Sequence, residues 1–436
     1  MTKETSSLSN WTIVYLTQYI PMLLKEAMGL VKIRFLYLLY FFYYIIYYLF
    51  IYYMSRLCII QYNKYNLQER DKYPRIFFYK QLKRKLEEKG YKVILFKSDY
   101  PKEINDILDK NKIDLIINFE DYYIRYSRHF HSNLNLADAY KFYQLLEDKN
   151  IKIYPPPRFH IYTNSKEYAL QLYKHKEFVL PHSKTFLLKY DDNNKKEKIK
   201  IEEHINELGK ICDYTLIKVS YSADMVDIFF IKNNDKSDIK LPLAIKNNVI
   251  KIEELDKVFK LYDQYLKFDK RDLIIIIQPY NSIVANRETE YRMWYLNSKF
   301  VGYFCFGIVK NDEGKVVKLL NNIKYDNTNE IHKHLLALAD KIYKFINNEV
   351  KEILNKPDFK LLALRIDMSY ATDDIFQDEN SVILDGNKYR FYCNELENID
   401  GTFYLNLPIL DTKTNKKYES IEFQNNLVNI LVNNLT

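Results

Sequence analysis

The stretch Leu364-Arg365-Ile366-Asp367-Met368, followed by Tyr389-Arg390-Phe391-Tyr392-Cys393-Asn394-Glu395-Leu396-Glu397-Asn398, decides how this chain is read. Both runs are apolar and end in acids, and the acids alternate with apolar residues. Alternate side chains of a strand share a face, so Glu395 and Glu397 point one way and Leu396 the other. Asp367 joins them if the two strands are neighbours. Three converging carboxylates repel one another, and a hard cation such as Mg²⁺ relieves that repulsion. Mg²⁺ commonly accompanies phosphates, which directs attention to nucleotide chemistry.

Upstream, strand-like and helical patterns alternate. Leu57 to Gln61, Val93 to Phe96, Leu115 to Phe119 and Ile151 to Tyr154 read as strands. Pro74 to Gly90, Pro101 to Lys110 and Leu136 to Leu146 read as helices. This alternation predicts a parallel sheet with helices on its faces. Ligands of such sheets bind beyond the strands' C-terminal ends, where Asn118, Glu120 and Asp121 stand; ordinary loop residues are the plainer reading. Pro155-Pro156-Pro157 marks a break, and a helix is expected from about Ser165 to His175. The charged run Asp191 to Lys200 reads as a solvated turn before a helix over Ile201 to Gly209. Tyr291 to Tyr295 and Lys299 to Ile308 read as an antiparallel pair turning at Asn297-Ser298. Ile331 to Leu354 reads as a long amphipathic helix.

Four further places can carry chemistry. Lys218 ends an apolar strand, where it can meet phosphates, with Ser220 and Ser222 in the turn behind it. A strand-edge lysine is the plainer alternative. Gln278-Pro279-Tyr280 closes the run Leu273 to Ile277 and can offer backbone groups to a base. Glu290 and Arg292 share a strand face, suited to ribose hydroxyls and a phosphate or to a simple ion pair. Arg365 lies on the face of Asp367, suited to charge on a phosphoryl group or to pairing with its neighbours.

Taken in order, these pieces resemble the ATP-grasp superfamily over roughly residues 57 to 410. The resemblance implies an α/β (α+β) fold. A Rossmann-like preATP-grasp domain would occupy 57–160, and a two-lobed ATP-grasp domain 161–436. Asn164-Ser165-Lys166 stands at the family's Asn/Asp-Lys, and Lys218 at its small-lobe lysine. Ser220 to Ala223 match the phosphate loop, here without its usual glycines, and Gln278, Pro279 and Tyr280 the adenine hinge. Glu290 matches the ribose acid, with Arg292 beside it. Arg365-x-Asp367 and Asn394-Glu395-x-Glu397 match the closing signature, which implies Asp367, Glu395 and Glu397 as ligands to two Mg²⁺, with Mn²⁺ as a substitute. Arg365 and Lys218 would be catalytic. Gly401 stands where the family often has a glycine. The gap between Asp367 and Glu395 is longer than usual and holds the acidic insert Asp373 to Asn380, expected as a hairpin or lid. Members join a carboxylate, activated as an acyl phosphate by ATP, to an amine or thiol. A nucleotide-binding module without ligase activity and a kinase-like use of the same site are the alternatives. Glu120, Asp121 and Arg158 are candidates for contacts to the small carboxylate and amine substrates.

The bulk properties set bounds. A chain of 436 residues with 47% hydrophobic and 28% charged residues can build large cores. Its formal charge of +8 is spread among mixed Lys, Glu and Asp, which disfavours nucleic acid as a partner. No Walker A, GxGxxG, GxSxG or HExxH motif occurs, and His129 and His131 lack partners for a zinc pattern. The four dispersed cysteines form no disulfide framework, pointing to a reducing compartment. Residues 35–54 carry no charge and are long enough to cross a bilayer. Eight of these twenty are tyrosines, which favour the interface, so an interfacial or partner-packed helix, or a helix buried in a soluble core, is the alternative to a single span. The expectation is an N-terminal hydrophobic region (1–56) holding the chain at a membrane, with the catalytic part facing the cytosol.

Overall fold

The computed structural model describes residues 42–44, 56–62, 75–97, 113–119, 144, 146, 148, 149, 151–221, 227–233, 248–280, 290–310, 316–323, 326–399, 409–411, 416–418 and 421–436. The chain divides into Met1–Ser55 and Arg56–Thr436. In the first unit only Phe42, Tyr43 and Tyr44 are described, helical and exposed; the rest of the 35–54 segment lies outside the described residues. Among the described residues no helix is long and apolar enough to cross a membrane.

Among the described residues, the second unit contains three sheets. The first is parallel throughout: β1 (Arg56–Tyr62), β2 (Tyr91–Lys97), β3 (Ile113–Asn118) and β4 (Lys152–Tyr154) lie in the order β2-β1-β3-β4. The helix α1 (Arg75–Glu87) connects β1 to β2 and buries Tyr79, Leu82 and Leu86. These spacings of three and four keep one face of a helix on the sheet. The C-terminal helix, Ile421–Leu435, packs Leu427, Val428, Leu431 and Val432 into the same core. Expected helices over Pro101–Lys110 and Leu136–Leu146 fall outside the described residues, apart from single positions in the latter.

An elbow of two helices follows, α2 (Pro157–Asn164) and α3 (Tyr168–Leu172). This corrects the expectation of one helix over Ser165 to His175. Pro157 begins α2 instead of breaking the chain, because a proline costs no hydrogen bond at the first helical position. Ser165 caps α2, and Lys166 turns the chain with a left-handed φ of 58°.

The second sheet, order β5-β9-β6-β7-β8, comprises β5 (Lys184–Leu188), β6 (Tyr214–Val219), β7 (Phe229–Lys232), β8 (Val249–Lys251) and β9 (Leu273–Pro279). Helices α4 (Lys195–Leu208) and α5 (Leu255–Asp269) cover one face with Ile201, Ile205, Leu208, Val258 and Leu266. The charged run read as a turn thus enters helix α4 from Lys195. Its Ile201-Ile205-Leu208 stripe supplies the buried face, and Lys195 to Lys200 project to solvent or pair on the surface, as Lys198 does with Asp263.

The third sheet has the order β14-β15-β13-β10-β11-β12-β16-β17. Its strands are β10 (Tyr291–Leu296), β11 (Lys299–Lys310), β12 (Val316–Ile323), β13 (Ala363–Ala371), β14 (Val382–Leu384), β15 (Asn387–Glu397), β16 (Ile409–Asp411) and β17 (Lys416–Tyr418). The β10–β11 turn sits at Asn297 and Ser298, both with positive φ. Helix α6 (Glu330–Ile353) crosses one face, burying Leu335, Ala339, Ile342, Ile346 and Val350 against Ile366, Met368 and Leu396. The opposite face of β10, β13 and β15 carries the charged residues.

Candidate active site

Strands β10, β13 and β15 lie side by side, and their register stacks the charges. Arg292 stands opposite Asp367, Asp367 opposite Glu395, and Arg365 opposite Glu397. The register of β13 and β15 slips between Asp367 and Met368, whose partners are Glu395 and Cys393. Asn394 is the extra residue of this bulge. A bulge re-aims a side chain out of the pleat. Here the Asn394 amide oxygen accepts a 2.8 Å hydrogen bond from Lys218 Nζ, brought from β6 of the second sheet. Two separately built sheets thus meet at this bulge, beside a core in which Ile274 and Ile276 of β9 join Met293 and Ile366.

The three carboxylates offer oxygen atoms within 4.8 Å of one another. Asp367 is buried and receives Arg365 on both oxygens, at 2.7 and 2.8 Å. Arg365 also reaches Glu397 at 2.7 Å, and Lys166 Nζ reaches Glu395 at 2.5 Å. Arg292 bonds Glu290 at 2.8 Å and lies 3.6 Å from Asp367. Burial pushes the Asp367 carboxyl up, against the pull of Arg365 and Arg292. Burial acts the same way on Glu395, but Lys166 and Lys218 outweigh it and hold that group down at about 2. Glu397 is pushed up to about 8 by burial and by Glu395 and Asp367, only partly offset by Arg365. The Lys218 ammonium is lowered by its burial, partly offset by Glu395. Each carboxylate oxygen has two lone pairs, so an oxygen that accepts from arginine can still ligate a cation. An all-oxygen donor set this close together suits a hard divalent cation.

The α2–α3 elbow is tied to the C-terminal half of β15. Asn398 Nδ2 donates to Thr163 Oγ1 at 2.6 Å, and the Leu396 amide to the Tyr168 hydroxyl at 3.4 Å. These bonds flank the Lys166–Glu395 pair. Tyr173 of the same segment donates to Gln278 Oε1 at 3.3 Å, touching the end of β9. The remaining expected residues are placed less openly. Ser220 is fully buried, and its hydroxyl accepts from the Ile274 amide at 2.6 Å and donates to Ile274 O at 3.2 Å. The Tyr280 amide, adjoining Pro279, is bonded to Tyr214 O at 3.0 Å, and its ring packs edge-on against Phe230. Arg158 pairs with Glu167 at 2.6 Å on the elbow's surface. Ser222, Ala223, Glu120, Asp121, His129, His131 and Gly401 lie outside the described residues. Nothing in the sequence marks Thr163 and Tyr168 as supports; for Asn398 the one cue is its place immediately after the acidic pair.

No family model and no curated protein matches the sequence. Among solved structures, the chain is similar to D-cycloserine synthetase DcsG at 11% identity and a TM-score of 0.48, covering 87% of this chain and 100% of that one. It is similar to D-alanine–D-alanine ligase from Bacillus anthracis complexed with ATP, at 11% identity and a TM-score of 0.42, covering 87% and 96%. It is also similar to the ATP-grasp ligase PsnB complexed with minimal precursor, at 10% identity and a TM-score of 0.42, covering 86% and 99%.

Proposed function

We propose that the protein is an ATP- and Mg²⁺-dependent ligase of the ATP-grasp kind, which activates a carboxylate as an acyl phosphate for attack by an amine of the amino-acid or peptide class. One observation carries this reading: Lys218 of one sheet meets Asn394 of another beside three carboxylates whose oxygens lie within 4.8 Å. Such a junction can hold a polyphosphate between ammonium groups and cations.

Asp367, Glu395 and Glu397 would hold Mg²⁺, which when bound neutralises phosphate oxygens and orients the triphosphate. Lys166 and Lys218 supply fixed positive charge from the elbow and from β6. Arg365, paired with Asp367 and Glu397, would stabilise the charge that grows on the transferring phosphoryl group. These groups act by position and charge, so the chemistry asks for no protein nucleophile. Glu290 and Arg292, paired and nearly buried, would hold the ribose side. Regions 57–160 and 161–436 are assigned as the preATP-grasp and ATP-grasp parts. The test is ADP release from MgATP, screened against amino acids and small peptides. Release that depends on an amine-bearing substrate supports the reading, and absence of MgATP binding by calorimetry sinks it.

Residues 35–54 are proposed as a membrane anchor, with the catalytic unit facing the cytosol. Flotation with liposomes tests this: the full chain should float and a chain from residue 57 should not. Equal behaviour of the two would refute it.

A further inference from the structure

Arg390 lies on β15, four residues before Asn394, and is 1% exposed. Its guanidinium reaches a segment more than two hundred residues away. One terminal nitrogen donates to Glu177 O at 3.3 Å and to Phe391 O. The other donates to Lys176 O and, at 2.9 Å, to Val179 O. Lys176 to Val179 is where the chain leaves the elbow and enters the second sheet at β5. The remaining nitrogen, Nε, lies 2.9 Å from Asp378 Oδ1 in the acidic insert.

That insert is anchored in place. A short 3₁₀ turn, Asp374–Phe376, is followed by the β14–β15 hairpin, which turns at Asp385-Gly386, both with positive φ. Phe376 packs with Leu180, Ala371 and Tyr392. Gln377 Nε2 donates to Ala371 O at 3.1 Å and Asp373 O at 3.2 Å. Asp378 Oδ1 accepts a hydrogen bond from the Asn380 amide at 2.9 Å. On its far side Asp373 and Ile375 face Lys210, Cys212 and Tyr280 across a cavity of about 540 Å³. The insert therefore stands beside the second sheet while fastened to the third.

We propose that Arg390 is a positioning residue, and that with the insert it braces the entry to the second sheet against β15, so that Lys218 is held at Asn394 before ATP arrives. The proposal rests on the ligase reading for its catalytic consequence, but not for the brace itself. Two polar ties then join the second sheet to β15: Arg390 fixes the chain entering β5, and Lys218 bonds Asn394 at the carboxylates. A guanidinium suits this task because its planar fork serves several acceptors at once, which an ammonium cannot reproduce.

Loss of the brace lowers the fraction of enzyme in the binding-competent arrangement. The apparent affinity for MgATP falls by that fraction, while saturating MgATP restores closure. For Arg390→Lys we expect KM for MgATP to rise about tenfold with kcat within about twofold of wild type. Asp378→Asn, which leaves the carbonyl bonds intact, should shift KM the same way by less. A merely structural role would reduce kcat through loss of folded enzyme and leave KM alone. Wild-type KM in both variants would overturn the proposal, and Asp378→Asn serves alone if Arg390→Lys does not fold. Amide hydrogen exchange of residues 176–183, measured without nucleotide, is the second arm. Faster exchange in the variants supports the brace, and unchanged exchange overturns it, even if wild-type protein turns over no ATP and the ligase reading itself has failed.

Discussion

Glu397 shows how much of this site depends on single charges. It sits with Glu395 and Asp367, and Arg365 serves both Asp367 and Glu397. Its carboxyl is raised to about 8, so below that pH a proton occupies an oxygen that a cation needs. Metal binding must displace the proton. Apparent Mg²⁺ affinity should therefore fall by up to about tenfold for each pH unit below 8, and level off above it. Calorimetric titration from pH 6 to 9 measures this, and Glu397→Gln should flatten the profile. An equally steep profile in that variant would assign the proton elsewhere. Glu395 stays ionised throughout, because Lys166 and Lys218 outweigh its burial. The sequence revealed the acids by their alternation. It could not reveal which of them carries a proton, because Lys166, Lys218 and Arg365 are remote in sequence from one another or belong to different strands.

At the scale of elements, what could be read was what a short window contains. Strands β13 and β15 followed from apolar alternation ending in acids, and α6 from its spacing of three and four. The turn at Asn297-Ser298 followed from residues tolerant of positive φ. Two elements were misjudged for local reasons with tertiary answers. The proline triplet signalled a break, yet Pro157 opens α2, whose Phe159, His160 and Ile161 are buried. The lysine-rich run before Ile201 signalled a turn, yet the apolar stripe of α4 carries it into a helix. Arg390 was invisible as a functional candidate. It sits in an ordinary strand, and its acceptors at Lys176, Glu177 and Val179 are backbone carbonyls that any residue could supply. The bulge at Asn394 was equally hidden, since only the pairing with β13 shows that one residue is extra.

For the whole molecule, specific polar ties accompany the apolar cores that the sheets share: the elbow to β15, Lys218 to Asn394, and Arg390 to the entry of β5. Buried ionisable groups at these seams make stability depend on pH. His160 of α2 is 2% exposed, and burial lowers its imidazole to about 3. As pH falls through 6.5 the unfolded chain binds a proton that the folded chain refuses until about 3. The stabilisation is complete above 6.5 and is lost on acidification, at up to about 1.4 kcal/mol per pH unit. Denaturant unfolding between pH 7 and 4 should show a shallower slope for His160→Leu, and an unchanged slope would contradict the assignment. The account as a whole turns on the meeting of Lys218 with Asn394 beside the three carboxylates. Its most direct test is ADP release from MgATP in the presence of an amine-bearing acceptor, comparing wild type with the protein carrying both Glu395→Gln and Glu397→Gln. The account predicts substrate-dependent release that the double substitution lowers by about a hundredfold or more; undiminished release in the substituted protein would contradict it.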